Sequence, residues 1–261
     1  MQQYPIQLGS MLFTVVEPHP GHELAYNRWY ERDHFYAGVM IGKYSFAGRR
    51  FVATRAEKAL RYPADSPLLP DPMRGSYVAV YWVLKGHHDA WSDWSVGQVN
   101  WLHANGRMFP HRDHDYTIVA EHDWVAYRDD DGVPAELALD HPFAGLVAVV
   151  GAPAEGVERG RIDAWYRAEH LPRALADSPI AMCLSFTPKP LQADAPGDVP
   201  RSDGERFVHL YFLETDPKDA WADHFARHGE LLEASGLGRV EWATPFIPTL
   251  PGTDTYTDAL R

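Results

Sequence analysis

The sequence predicts an α+β chain in which one strand–helix–strand–strand–helix–strand unit occurs twice. Three internal matches predict it. Asn27-Arg-Trp-Tyr-Glu-Arg-Asp-His34-Phe35 recurs as Asp163-Ala-Trp-Tyr-Arg-Ala-Glu-His170-Leu171. The apolar run Tyr77–Leu84 falls on Phe207–Glu214, and Asp89-Ala90-Trp91 falls on Asp219-Ala220-Trp221. The three matches keep their order along the chain, the mark of a repeated unit.

Each element follows from local pattern. Met11–Val16 reads as an apolar strand stopped at Pro18, His22–Val39 as a helix, and Phe46–Thr54 as the next strand. A proline-rich loop, Pro63–Pro72, leads to the strand Tyr77–Leu84. Both alternating residue sets of that strand are apolar, as a sheet covered on both faces requires. Asp89–Asn105 is a helix closed by Gly106, and Tyr116–Tyr127 is the last strand of the unit. The second unit repeats this as Gly145–Val150, Ile162–Asp177, Ile180–Pro188, Arg206–Glu214, Lys218–Ser235 and Val240–Ile247. Gln192–Ser202 and Asp129–Pro134 are polar loops, and the latter divides the chain into units of residues 1–130 and 131–261. A β-α-β-β-α-β unit is the ferredoxin-like motif, with both helices on one face of an antiparallel sheet. Two tandem ferredoxin-like repeats can pack their bare sheet faces together as an α/β barrel within one chain.

Composition narrows the functional classes. The 261 residues are 45% hydrophobic and 23% charged, enough for a packed core. Lys+Arg 24 against Asp+Glu 36 leave a formal charge of −12, which disfavours nucleic acid and anionic membranes as partners. No apolar run reaches transmembrane length and no basic-then-apolar leader opens the sequence, so a cytoplasmic protein is expected. The one cysteine, Cys183, excludes an internal disulfide and any multi-cysteine metal site.

The repeated helix segment carries the first candidate chemistry. At about 100° per residue, Asn27, Tyr30 and His34 share one helical stripe. Asp163, Tyr166 and His170 are their counterparts. Imidazole moves protons near neutrality and a phenol donates to a developing oxyanion, so the stripe suits acid–base catalysis. The structural alternative is a packed tyrosine and a histidine capping its helix.

These residues resemble a family. A Trp-Tyr pair whose tyrosine precedes a histidine by four residues, on the first helix of a ferredoxin-like repeat, resembles the EthD-like branch of the dimeric α/β-barrel superfamily. The resemblance spans both units. It implies a ligand between helices and sheet. It also implies one of several activities: cofactor-free polyketide cyclases, lactone isomerases, dehydratases and quinone-forming monooxygenases, or haem-using relatives. Fold alone does not choose among them.

The second helices add candidate binding residues. Trp91, Trp94, Gln98 and Trp101 form one broad stripe that either faces the core or walls an aromatic ligand through Trp94 and Trp101, with Gln98 as polar contact. In the second unit the stripe becomes His224, His228 and Leu231. His224 and His228 could share a metal or, with His170, offer a haem ligand, but no neighbouring acid completes a metal pattern, and no metal is expected. His209 shares a strand side with Phe207 and Tyr211, as a pocket group or a core histidine. The stretch Arg107–Tyr116, with His111 and His114, reads as a solvated loop or a lid over the first pocket.

The leading expectation is a cofactor-independent lyase, dehydratase, cyclase or isomerase acting on a small aromatic or polyketide-like substrate. An oxidative enzyme of the same fold, either a cofactor-free monooxygenase on a phenol or hydroquinone or a haem enzyme, is the alternative. A non-catalytic binding or stress-response module is the third. An intrachain barrel removes the need for a second copy without forbidding a homodimer.

Overall fold

The computed structural model describes residues 4–201 and 205–261, so Ser202 at the end of the expected Gln192–Ser202 loop lies outside the described residues. The first half runs β1 (Leu8–Pro18), α1 (Glu23–Trp29), a π-helical stretch Tyr30–Met40, β2 (Ser45–Val52), α2 (Arg55–Lys58), β3 (Tyr77–Leu84), α3 (His88–Ala104) and β4 (Arg112–Tyr127). The second half runs β5 (Gly145–Pro153), α4 (Arg159–Trp165), a π turn Tyr166–His170, α5 (Leu171–Leu175), β6 (Ile180–Lys189), β7 (Phe207–Leu213), α6 (Pro217–Ala220), a π turn Trp221–Phe225, α7 (His228–Ala234) and β8 (Gly238–Pro248).

All the strand pairings are antiparallel, and the strands close a barrel in the order β1-β3-β2-β8-β5-β7-β6-β4. Each half therefore contributes the strand order of a ferredoxin-like sheet, β4-β1-β3-β2 and β8-β5-β7-β6. The seams are unequal. Along β4 and β6 pairing runs from Val119↔Lys189 to Tyr127↔Met182, whereas β2 meets β8 only at Phe51↔Pro248 and Val52↔Ile247.

Strand alternation assigns the layers. Met11, Phe13 and Val15 point into the barrel with Val78, Val80, Trp82, Leu146, Ala148, Leu210 and Phe212. That interior is filled by side chains, as small barrels are, so ligand space falls in the outer layers between sheet and helices. The outward residues Tyr77, Ala79, Tyr81 and Val83 pack beneath the first-half helices, and Val147, Val149, Cys183 and Tyr211 beneath the second.

Three local expectations are corrected. The first helix is α-helical only to Trp29 before it widens into the π-helical stretch. In the second half Leu171 N–H reaches Tyr166 O, a π turn placed just before Pro172, which has no N–H to continue an α-helical ladder. The histidine-rich stretch is a loop only as far as His111. From Arg112 it is strand, paired with Pro18.

Each half also reaches over the other. The β2–β3 connection sends Tyr62 against the second-half helices, its hydroxyl donating to Phe225 O at 2.7 Å, while Arg61 donates to Thr244 at 2.7 Å. The β6–β7 connection lies over the first-half helices, where Asn100 Nδ2 donates to Asp194 O at 3.1 Å and Gln192 Nε2 to Asp93 at 2.6 Å. Among the described residues, no helix is long and apolar enough to cross a membrane.

Candidate functional site

The first-half helix–sheet layer holds a cavity of about 100 Å³. Its floor is Leu12 and Thr14 of β1 with Thr117 and Val119 of β4, and Tyr30, His34 and Gly38 form one wall. Trp91, Ser92, Ser95, Val96, Val99 and His103 of α3 form the other, and Leu191–Val199 of the β6–β7 connection lies across the top.

A bulge sets the polar end. Val15 pairs with Tyr116 but Val16 pairs with His114, leaving Asp115 as an extra residue on β4. Tyr116 and Ile118 face the barrel interior, so regular alternation would send Arg112 and His114 there as well. The bulge reverses the phase and turns both into the cavity beside Thr117. Arg74 holds the extra residue, donating to Asp115 at 3.0 and 2.7 Å.

Around this end the polar groups interlock. Thr14 and Thr117 hydroxyls are 2.8 Å apart, and His114 Nδ1 lies 3.3 Å from Thr117. Arg112 donates to Phe109 O at 2.6 Å and stands 3.2 Å from His114 Nε2. Its third partner is Asp198, at 3.3 Å.

His34 is clamped by aromatic rings. It stacks on Trp29 with centroids 4.6 Å apart, and meets Tyr30 edge-on at 5.2 Å. Its Nδ1 is buried without a hydrogen-bond partner. Burial, followed by the Arg112 guanidinium, pushes its pKa down to about 3, so the ring is neutral at pH 7. Burial and Arg112 likewise lower His114 to about 4. Tyr30 hydroxyl lies 2.9 Å from that of Tyr81, and burial raises its pKa.

Of the expected first-half residues, the structure thus brings Tyr30 and His34 together at the cavity. Asn27 stands apart: it is buried, donates to Thr253 O at 3.0 Å and accepts from Arg50 at 2.9 Å. Apart from Trp91, the expected aromatic face of α3 points elsewhere. Trp94 packs over Gly42, Gln98 donates to Ala37 O at 2.7 Å, and Trp101 is 50% exposed beneath Arg107. The other α3 residues that face the cavity, Ser92, Ser95, Val96, Val99 and His103, lie on a neighbouring stripe of the same helix.

The second half keeps the motif but fills the space. Tyr166 hydroxyl is 2.8 Å from His228 Nε2, and His170 packs on Trp165 at 5.1 Å and on His228 at 4.5 Å. His209 is fully buried against Tyr166 at 4.3 Å, with neither ring nitrogen hydrogen-bonded. Burial lowers the pKa of His209 and His228 far below the ordinary value and that of His170 to about 4, and it raises that of Tyr166. Asp163 accepts from Arg159 at 2.9 Å. His224 and His170 line an open groove of about 310 Å³ with Glu169, Arg173 and Asp223. A larger groove of about 850 Å³, walled by Arg159, Arg206, Arg239 and Glu241, lacks aromatic walls. Among the described residues, no three His, Cys, Asp or Glu side chains stand where they could hold one metal ion.

No protein-family model matches the chain, and no curated protein matches it. Solved structures do. An anthrone oxidase-like protein is 6% identical, with 95% of each chain covered and a TM-score of 0.56. A chlorite dismutase-like protein is 13% identical, with 98% of this chain and 100% of that one covered and a TM-score of 0.53. A monooxygenase-like protein of Fusobacterium nucleatum subsp. nucleatum is 8% identical, with 93% of each chain covered and a TM-score of 0.50. The shared feature is the fold, an α/β barrel closed within one chain.

One expectation is corrected by these likenesses. A chain without a cofactor does not follow from this fold, because the chlorite dismutase-like protein shares it. The histidine sites as built do not fit a porphyrin. The first-half cavity is far below the roughly 300 Å³ of a small ligand pocket. His209 and His228 are sealed in packed rings, and the open groove at His170 and His224, only about 310 Å³, sets Glu169, Arg173 and Asp223 beside Trp165, Ala174 and Leu231.

Proposed function

We propose that the chain is an oxidative enzyme acting on a small hydroxylated aromatic held in the first-half cavity. The observation that carries this reading is a neutral, buried imidazole, His34, sharing a largely apolar cavity with the Arg112 guanidinium. The oxidase-like and monooxygenase-like structures of the same fold favour oxidation over the acid–base reading that the sequence suggested first.

The residues divide the work. Trp91, Val96 and Val99 present an apolar wall to the ring of the substrate. His34 accepts the proton of the hydroxyl group. The resulting phenolate is stabilised by Arg112 in a site of low dielectric, where a fixed charge acts strongly. A phenolate beside the ring also supplies opposite charge, which raises the proton affinity of His34. The electron-rich phenolate then bonds to dioxygen through a ring carbon; the O–O bond breaks, one oxygen atom stays as the second carbonyl of a quinone, and the other leaves as water with the hydrogen lost from that carbon and the proton held by His34. Tyr30, tied to Tyr81, holds the wall against which His34 rests.

Two finer assignments belong to the same proposal. Tyr30 and His34 support placement in the EthD-like branch. The recurring Trp-Tyr-…-His segment and the matching strand orders support residues 1–130 and 131–261 as repeats of one unit.

An oxygen electrode tests the function. Naphthols, hydroquinones and anthrone-type substrates should include one that drives enzyme-dependent oxygen uptake, and His34→Ala should slow it by at least roughly a hundredfold. Conversion of such a compound without oxygen uptake would return the acid–base reading to first place.

A further inference from the structure

The buried charge of the cavity lining is positive. Arg112 is buried there, its side chain 6% exposed, and His34, His103 and His114 surround it. Among the described lining residues the sole carboxylate is Asp198, 41% exposed on the β6–β7 connection. It lies 3.3 Å from Arg112 and 3.6 Å from His103, both longer than the usual charge-assisted hydrogen bond.

The connection that carries Asp198 meets the first-half helices through side chains and not through backbone pairing. Asn100 donates to Asp194 O and Gln192 to Asp93, while within the connection Arg201 donates to Gln192 O and Ala193 O, Ala195 N–H to Gln192 O and Val199 N–H to Pro196 O, so it can move as a unit. The cavity beneath it, about 100 Å³, is too small for a two-ring aromatic. Admitting one requires the connection to lift.

We infer that the substrate is an anionic aromatic, a hydroxyarenecarboxylate, whose carboxylate takes the place of Asp198 on Arg112. The inference rests on the first-half cavity being the working one. Lifting the connection removes the carboxylate from Arg112. A neutral ligand would leave the buried guanidinium with Phe109 O and His114 but without a counter-charge, which is unfavourable. An anionic ligand restores the pair with its own charge. Asp198 thus acts as an internal stand-in for the substrate's acid group, and every ligand must displace it.

Binding of 1-hydroxy-2-naphthoate and of its amide, followed by quenching of tryptophan fluorescence or by calorimetry, tests this without turnover. The acid should bind at least roughly tenfold tighter than the amide. Asp198→Asn should tighten both probes, since neither then has a pair to break. Arg112→Met should bring the acid to the affinity of the amide. Equal affinities in the unaltered protein, no saturable binding of the acid at millimolar concentration, or Asp198→Asn weakening or leaving unchanged the acid would each overturn the inference. Failure of the oxidative reading would show at the oxygen electrode and leave these affinities as they are.

Discussion

The imidazole of His34 lies on the indole of Trp29, ring centroids 4.6 Å apart and planes 18° from parallel. His170 and Trp165 repeat the arrangement at 5.1 Å and 20°. The π-helical backbone from Tyr30 and from Tyr166 accompanies both pairs, and such widened turns recur at functional sites. One pair borders a cavity while the other faces His228 and a charged groove, so identical local chemistry serves two surroundings.

The two histidines should therefore differ in kinetics. His34→Ala is expected to lower kcat/KM by roughly 10²–10⁴-fold, the range for a lost general base. His170→Ala is expected to leave turnover near that of the unaltered protein. Oxygen uptake measured on folded samples of both variants checks the contrast.

Gly38 offers a way to move His34 without touching the substrate. A methyl group at Gly38 would sit 2.9 Å from Cε1 of the imidazole, closer than van der Waals contact allows. The ring, held by Trp29, would have to shift. Gly38→Ala should lower kcat roughly tenfold to a hundredfold, as small misplacements of a catalytic group do. Its melting temperature should change little, because alanine's helix preference offsets the crowding.

Acid should destabilise the fold through its buried histidines. His34 is lowered to about 3, His114 and His170 to about 4, and His209 and His228 far below the ordinary value. The unfolded chain takes up protons on these groups near pH 6.5 while the folded one does not. Their contribution is intact above about pH 6.5 and is lost progressively as pH falls toward 4, with a slope of up to about 1.4 kcal/mol per pH unit for each group. His209→Leu, which forfeits no hydrogen bond, should flatten this slope. Urea denaturation at pH 7.5, 6 and 5 measures it.

Tyr30 and Tyr81 provide a stability test. Tyr30→Phe leaves the buried Tyr81 hydroxyl without its 2.9 Å partner, at a cost of about 1–3 kcal/mol. Tyr30→Phe combined with Tyr81→Phe should recover most of that loss, since neither polar group then remains unpaired. Thermal or urea unfolding of the single and double variants reads the difference.

The barrel was legible because alternation and repetition are local properties of sequence. Tyr77–Leu84 is apolar on both faces, and the matched segments fixed the order of elements. Tyr30 and His34 were legible for the same reason. The polar end of the cavity was not. Arg112 and His114 face the helices only because Asp115 interrupts the pairing with β1, and regular alternation puts them on the opposite face. Trp94 and Trp101 were plausible walls by type, yet the packing angle of α3 turns Trp91, Ser95 and Val99 inward instead. Asp198 is remote in sequence from the cavity that it borders, and no periodic signal joins them. Asn27 was placed on the right stripe, one turn too early to reach the cavity.

The crossing connections have a consequence for symmetry. A pair of identical chains would carry the same connection twice and so close both helix–sheet layers or leave both open. Here Tyr62 plugs one layer against Phe225 and Gly229, while the connection bearing Asp198 bridges the other and leaves room beneath. Carrying the two sheets in one polypeptide leaves each half free to differ. One half can become a solid buttress, and the other can remain a chamber.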